Sequence, residues 1–129
     1  MSDEVSALWS RALADLAAAL ALTDLEFHDA AASRAYYAAF SAVSALFLSD
    51  GRSFRRHSQL ESAVHRDLVH AGHWNADLGA DFSFLRSLRT TGDYGSVFRV
   101  SQSESRQAIA AARRIVEAVS ASRRDRFTT

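Results

Sequence analysis

Hydrophobic residues recur every three or four positions along most of this chain, and that spacing predicts a protein built almost entirely of α-helices. No stretch shows the strict alternation of a half-buried β-strand. Helices are predicted for residues 3–21, from 23 to about 50, from 58 to about 71, 77–90, and from 101 onward. Short connections between long helices favour antiparallel neighbours, so the expected fold class is all-α, an up-and-down antiparallel bundle of about five helices.

Each helix carries an apolar stripe that is expected to face a shared core. The predicted inward residues are Trp9, Leu13, Leu16 and Leu20; Leu60, Val64 and Leu68; Leu78, Phe82 and Leu85; and Ile109, Ala112, Val116 and Val119.

Three of the predicted helices begin with Ser or Thr followed three residues later by Glu, the capping-box pattern that satisfies free backbone N–H groups. The pairs are Thr23 with Glu26, Ser58 with Glu61, and Ser101 with Glu104. Gly51 and Gly72 follow the second and third helices, where a left-handed residue is expected to end each one.

Composition narrows the function classes. The 129 residues suggest one domain, residues 1–122, followed by a solvated basic tail, residues 123–129. Without cysteine there is no disulfide or thiolate metal site, and the histidines show no metal-binding spacing, so no metal or cofactor is expected. The net charge of zero argues against nucleic-acid binding driven by overall charge, but it leaves a local basic patch open.

Other features of the composition bear on origin and location. All fifteen basic residues are arginine, which indicates a GC-rich and bacterial coding bias. We find no run of about 18 apolar residues and no signal sequence, so we expect a cytoplasmic protein with no membrane segment.

Two arginines stand on apolar stripes, where a charge needs a partner or a wet cleft. Arg89 follows Leu85 by four residues, and Asp93 follows Arg89 by another four, within reach across one turn. Arg34 precedes Tyr37 by three residues on the second helix. These residues are the first candidates for a site, although an Arg89–Asp93 salt bridge that only ends the helix is an equally simple interpretation.

The second helix contains SRAYYAAF, the third begins with HSQL, and the fourth ends in LRSLRTTGDYG. Together with the final alanine-rich helix, these elements resemble the HEPN superfamily. More narrowly, they resemble its short bacterial branch, which has an SRxYYAxF helix and an Arg-x-x-x-Asp-Tyr element. The resemblance covers about residues 25–119, most of the chain.

The resemblance implies a helical bundle that forms homodimers, often beside a nucleotidyltransferase antitoxin in toxin–antitoxin operons. Active relatives are metal-independent ribonucleases with an arginine, four to six residues, and then a histidine. Here Tyr94 occupies the histidine position, and a phenol with a pKa near 10 is a poor general base at neutral pH. Whether the chain is an enzyme is therefore left open.

The catalytic candidates, if catalysis occurs, are Arg89, Asp93 and Tyr94, and the ligand-binding candidates are Arg34, Tyr37 and Arg89. The leading hypothesis is a homodimer that binds a nucleotide or RNA phosphate, as a toxin-type protein or as the partner of a nucleotidyltransferase. One alternative is a metal-independent endoribonuclease, and another is a protein–protein scaffold without a ligand.

Several contacts have more than one sequence-based interpretation. Arg34 could pair with Asp29, Asp93 or Glu104 on a neighbouring helix. Tyr36, Tyr37 and Phe40 are more typical of a core or a dimer interface than of a ligand site. Two further pairs, Arg52 with His57 and Arg66 with His73, have the ribonuclease spacing, but such pairs arise easily by chance among fifteen arginines and five histidines.

Overall fold

The computed structural model of this chain describes residues 2–93 and 99–127, without the side chains of Asp93 and of residues 123–127. The described part is all α-helical, which confirms the predicted fold class. Its elements are α1 (Asp3–Asp24), α2 (His28–Ser49), α3 (His57–Ala63) with a π-helical extension (Val64–Val69), α4 (Ala76–Asp93) and α5 (Gln102–Phe127). α5 thus extends into the segment that was predicted to be a tail.

α2 is the central helix, and it packs against α1, α4 and α5. Seven of its alanines are fully buried: Ala31, Ala32, Ala35, Ala38, Ala39, Ala42 and Ala45. Because alanine has almost no side chain, neighbouring helices can approach α2 closely on several sides. One strip of half-exposed side chains remains along its length, formed by Arg34, Tyr37, Phe40, Ser44 and Leu48.

The buried face of α1 is formed by small residues, and this corrects the predicted stripe. Val5, Ala12 and Ala19 are buried, whereas the side chains of Leu13 and Leu20 are 46% and 38% exposed. Trp9 and Leu16 pack against the edge of the core. The alanine-rich surface of α2 favours small residues opposite it, so the larger leucines are displaced outward.

α1 is also long and apolar enough to cross a membrane by the criteria of length and composition alone. The sequence still has no uninterrupted apolar run of about 18 residues, because α1 contains Ser10, Arg11 and Asp15, and the absence of a membrane segment stays a prediction. Core helices of soluble proteins and N-terminal signal sequences meet the same criteria, so this finding is weak evidence for a membrane segment.

The connection between α1 and α2 does not contain the predicted capping box. α1 continues through Asp24, and Glu26 adopts a left-handed conformation with φ of 68°. The Thr23 hydroxyl instead lies 3.0 Å from His28 Nδ1 and 2.6 Å from Ser105 Oγ. The Thr23 hydroxyl therefore contacts side chains of α2 and α5, although the local sequence pattern predicted that it caps a helix.

The second predicted capping box is also absent, but the third is confirmed. α3 begins at His57 with Arg56 at the N-cap position and no side-chain cap, so Ser58 lies inside the helix. The Glu61 carboxylate accepts hydrogen bonds from Arg86 and Ser83 on α4. Before α5, the Ser101 N–H donates to the Glu104 carboxylate at 2.9 Å, and the Glu104 N–H donates to Ser101 Oγ at 3.0 Å.

The remaining predicted features agree with the structure. Gly51 and Gly72 have φ of 79° and 88°, as expected where a helix ends in the left-handed region. Phe82 and Leu85 are fully buried, and so is the predicted stripe of α5. Asp29 at the start of α2 accepts a hydrogen bond from the Val100 N–H at 2.8 Å and so fixes the chain that leads into α5.

Ser101 and Ser58, the serines of the confirmed and the absent capping box, make a matched pair for mutagenesis. Ser101→Ala removes a cap hydrogen bond that the structure shows, and we expect it to destabilise the protein by about 1 kcal/mol, a loss of about 4 °C in Tm. Ser58→Ala removes an exposed serine without such a bond, so its Tm should change little. The Tm of each variant is measured by thermal denaturation with circular dichroism as the signal. An equal decrease in Tm for both variants would contradict the assigned helix starts.

Candidate functional site

The half-exposed strip of α2 meets residues of α3 and α4 at a surface rich in aromatic rings and guanidinium groups. We call this surface the aromatic–arginine face, and we define it by Arg34, Tyr37, Phe40, His57 and Arg89. All five side chains are half-buried. They come from three helices, so their proximity depends on how the bundle packs.

Arg89 lies against the tyrosines of α2. One terminal nitrogen of its guanidinium donates a hydrogen bond to the Tyr37 hydroxyl at 2.9 Å. The guanidinium carbon lies 5.8 Å from the centre of the Tyr36 ring and 5.5 Å from that of Tyr37, within the range of cation–π attraction. The sequence placed Arg89 on the inner stripe of α4, and the structure agrees.

Two predicted site residues, Asp93 and Tyr94, follow Arg89 along the chain. The Asp93 side chain and the whole of Tyr94 lie outside the described residues. The Arg89–Asp93 ion pair and the role of Tyr94 at the motif position therefore stay predictions.

Arg34 pairs with a carboxylate that the sequence analysis did not consider. Its guanidinium lies 3.2 Å from Asp15 Oδ1 on α1, and its charged end lies 5.0 Å from the centre of the Tyr37 ring. Of the three partners predicted for it, Asp29 binds Arg99 and the backbone before α5, and Glu104 completes the capping box. The pairing with Asp15 could not be predicted, because α1 packs beside α2 in a register that local spacing cannot reveal. The third predicted partner, Asp93, has a side chain outside the described residues.

His57 belongs to this face, although its sequence spacing pointed only to a chance pairing with Arg52. Its Nδ1 lies 2.8 Å from the hydroxyl of the buried Tyr36, and its ring stacks on Phe40 with centres 4.4 Å apart. The sequence analysis had considered His57 with Arg52, which instead binds Asp67 at 2.8 Å and packs on Phe47. Only the tertiary packing of α3 against α2 brings His57 to Tyr36.

Burial and nearby cations set the protonation states of Tyr36 and His57. Burial raises the pKa of Tyr36 to about 12, against the opposing effect of Arg86 and Arg89. Burial also lowers the pKa of His57, and the charges of Arg89 and Arg86 lower it further. At neutral pH the phenol is therefore protonated and the imidazole is neutral.

A second polar cluster lies beside the face, between α3 and α4. Glu61 accepts hydrogen bonds from Arg86 and from Ser83, and Ser83 Oγ also lies 3.0 Å from His65 Nε2. Burial would raise the pKa of Glu61, but these two hydrogen bonds and the charges of Arg86 and His65 outweigh it and lower the pKa. The pair of Arg86 and Glu61 holds α3 against α4 next to His57.

Two open depressions flank the aromatic–arginine face. The first, of about 400 Å³, includes Arg11, Asp15 and Arg34 together with Tyr37 and Phe40. The second, of about 460 Å³, is lined by Glu61, Ser83, Arg86, Ser87, Thr90 and Thr91.

Within the described residues, no group of three or more His, Asp or Glu side chains could hold a metal ion. The guanidinium groups on this face are hydrogen-bond donors suited to an anion.

The family model of the HEPN domain matches residues 5–123. The chain belongs to the HEPN domain family. A UPF0332 protein from Thermotoga maritima is 35% identical over 102 residues, which are 79% of this chain and 76% of that protein. The crystal structure of an archaeal HEPN homologue superposes with a TM-score of 0.71 at 22% identity, over 92% of this chain and 96% of that one. The HEPN resemblance of the sequence is thus confirmed, and the structural match supports the fold.

The cluster around Glu61 allows a test of these electrostatics in the HEPN bundle. Glu61→Gln weakens charge-assisted hydrogen bonds, and we expect it to destabilise the protein by about 2 kcal/mol near pH 7. The folded-state pKa lies below the ordinary value of 4.5. This contribution is therefore complete above that value and is lost as the pH falls through the folded pKa.

The measurement is the Tm of Glu61→Gln and of the parent from about pH 7 to about pH 3, over which the difference between them should shrink. Glu117→Gln, at an exposed position on α5, serves as the control. A constant difference for Glu61→Gln across this range would show that the carboxylate is not stabilised as the structure indicates.

Proposed function

We propose that this HEPN protein binds a phosphate-bearing ligand, a nucleotide or RNA, on its aromatic–arginine face. The observation that carries the proposal is the position of Arg89, whose guanidinium is held by the Tyr37 hydroxyl and by two tyrosine rings. Arginine is permanently charged, and its planar fork matches the oxygens of a phosphate group. A fork that is already oriented loses less side-chain entropy when it binds.

The charges around Arg89 support an anionic ligand. Arg34 is partly neutralised by Asp15 and Arg86 by Glu61, while Arg11 adds a further positive charge at the depression beside Arg34. The face is therefore a local basic patch on a protein whose net charge is zero.

The aromatic residues support a nucleotide or single-stranded RNA over a simple anion. Tyr37 and Phe40 are half-exposed next to the arginines. Aromatic rings beside cations are the usual platform for nucleobases, because bases stack on the rings while phosphates contact the cations.

The proposal includes the assembly and the setting of the protein. We propose a cytoplasmic homodimer in which the two aromatic–arginine faces line a shared cleft, and which acts as a toxin-type protein or as the partner of a nucleotidyltransferase. Membership of the HEPN family supports this proposal. Cleavage of RNA is the alternative activity of the same face.

Binding of a fluorescent 5′-AMP and of a short labelled single-stranded RNA tests the function directly. Arg89→Ala should weaken both by about tenfold or more, because it removes a charge-assisted hydrogen bond. Arg34→Ala should weaken them less, since Asp15 already offsets part of its charge. Arg113→Ala, at an exposed position on α5, removes the same charge elsewhere and should leave both affinities within about twofold.

Three outcomes separate the candidate functions in that experiment. Binding that depends on Arg89, with the RNA recovered intact, supports the proposal. RNA cleavage that Arg89→Ala abolishes identifies the ribonuclease. The absence of binding and of any ligand-induced rise in Tm contradicts the proposal and favours the scaffold without a ligand.

The assembly can be measured by light scattering during size-exclusion chromatography. The chain has a mass of 14.1 kDa, so a homodimer should give twice that value at micromolar concentration. If the two faces line one cleft, Tyr37→Arg should shift the population toward monomer, since it places two additional like charges at the interface. A monomeric parent protein would contradict this part of the proposal.

A further inference from the structure

We propose that His57 and Arg89 together form the phosphate subsite of the aromatic–arginine face, in which His57 donates a hydrogen bond from Nε2 to a phosphate oxygen. Tyr36 is the positioning residue that fixes the tautomer of His57. This inference rests on the proposed function and assigns that function a second donor, which lies outside the Arg-x-x-x-Asp-Tyr element that begins at Arg89.

The two side chains come from distant parts of the chain but contact the same pair of rings. The His57 ring centre lies 5.7 Å from that of Tyr36 and 6.0 Å from that of Tyr37. The Arg89 guanidinium carbon lies 5.8 Å and 5.5 Å from the same two centres. Arg89 is also close enough to His57 to disfavour the protonated imidazole electrostatically. Both donors thus adjoin the same two rings, and we place one small anion between them.

The hydrogen bond between Tyr36 and His57 decides which imidazole nitrogen carries the proton. Tyr36 is fully buried, and among the described residues its hydroxyl has His57 Nδ1 as its partner. A buried hydroxyl that does not donate is costly, so Tyr36 donates and Nδ1 accepts. The proton of the neutral imidazole is then on Nε2, which makes His57 a hydrogen-bond donor at that atom.

Stacking on Phe40 adds a second constraint on the ring. The two ring planes are 29° apart with centres separated by 4.4 Å, so Phe40 and the hydroxyl of Tyr36 restrict the rotation of His57. A donor that is held in place before the ligand arrives loses less entropy on binding, as for Arg89.

A neutral donor also suits the charges at this position. His57 faces Tyr36 and Tyr37 of α2 and the cations Arg86 and Arg89 of α4. Protonation of the empty site would add another positive charge near two guanidinium groups. A bound phosphate supplies negative charge, so binding should raise the pKa of His57 and should tighten as the pH falls toward that pKa.

The same tautomer argues against His57 as the general base for RNA cleavage. A base at Nε2 would need its lone pair free, and that would leave the buried hydroxyl of Tyr36 facing an Nδ1–H. The geometry therefore favours ligand binding by His57 over proton abstraction.

The test uses the full chain with inorganic phosphate and 5′-AMP as ligands. Long-range ¹H–¹⁵N correlation spectra of the histidine rings should show the Nε2–H tautomer of His57 in the free protein and a raised pKa after phosphate is added. In Tyr36→Phe, the loss of the donor to Nδ1 should convert this single tautomer to a mixture. An Nδ1–H tautomer in the unmodified protein would overturn the inference without any mutation.

Two substitutions of His57 separate the roles of its nitrogens. His57→Asn keeps a polar group near the Nδ1 position, within reach of Tyr36, but lacks the Nε2 donor. It should weaken phosphate and 5′-AMP binding by about tenfold. His57→Gln places an amide donor near the Nε2 position and should stay within about threefold of the parent. Thermal melts verify that both variants fold.

The outcomes distinguish this inference from the function on which it rests. If Arg89→Ala abolishes phosphate binding and His57→Asn leaves it unchanged, the function stands and His57 is not part of the subsite. If the parent protein binds neither of these ligands nor the single-stranded RNA, the proposed function fails as well. If His57→Asn and His57→Gln lose affinity equally, the ring and not its Nε2 donor is what matters, and the inference is wrong.

Discussion

The close packing of α2 against three neighbours is the constraint on which the rest of this structure depends. Its buried alanines let α1, α4 and α5 approach so closely that only one strip of its surface stays partly open. The larger side chains on that strip, Arg34, Tyr37 and Phe40, are therefore where a ligand could contact the central helix. A bulkier residue in place of a buried alanine would force the helices apart and would also disturb this face.

Arg89 shows how a bundle of this kind can keep a cation near its core. Removing a guanidinium from water is costly, and the faces of two tyrosine rings and the Tyr37 hydroxyl offset part of that cost. The result is a charge that stays close to the surface but cannot rotate freely. Burial lowers the pKa of His57, and the charge of Arg89 lowers it further, so the electrostatics of the two residues are coupled.

Features that depend on the residues of a single helix could be predicted from the sequence. The position of Arg89 follows from its spacing after Leu85, and the Ser101–Glu104 cap from a local pattern. Contacts between helices were harder to predict from the sequence. The alanines of α1 and α2 give no periodic signal that distinguishes the buried face from the exposed one. Thr23 and Glu61 resembled cap residues but bind partners on other helices, and nothing local linked His57 to Tyr36.

Membership of the HEPN family establishes the fold, and the chemistry of this chain depends on details that the fold does not determine. The structural neighbour at 22% identity supports the arrangement of helices and no more. We infer that the location of a single proton on His57 separates a binding face from a cleaving one here. The inferred location depends on a hydroxyl of the most completely buried helix, because Tyr36 is fully buried and its hydroxyl lies 2.8 Å from His57 Nδ1. The packing of α2 therefore affects the site in two ways. It leaves the strip of Arg34, Tyr37 and Phe40 partly exposed, and it buries the Tyr36 hydroxyl that orients His57.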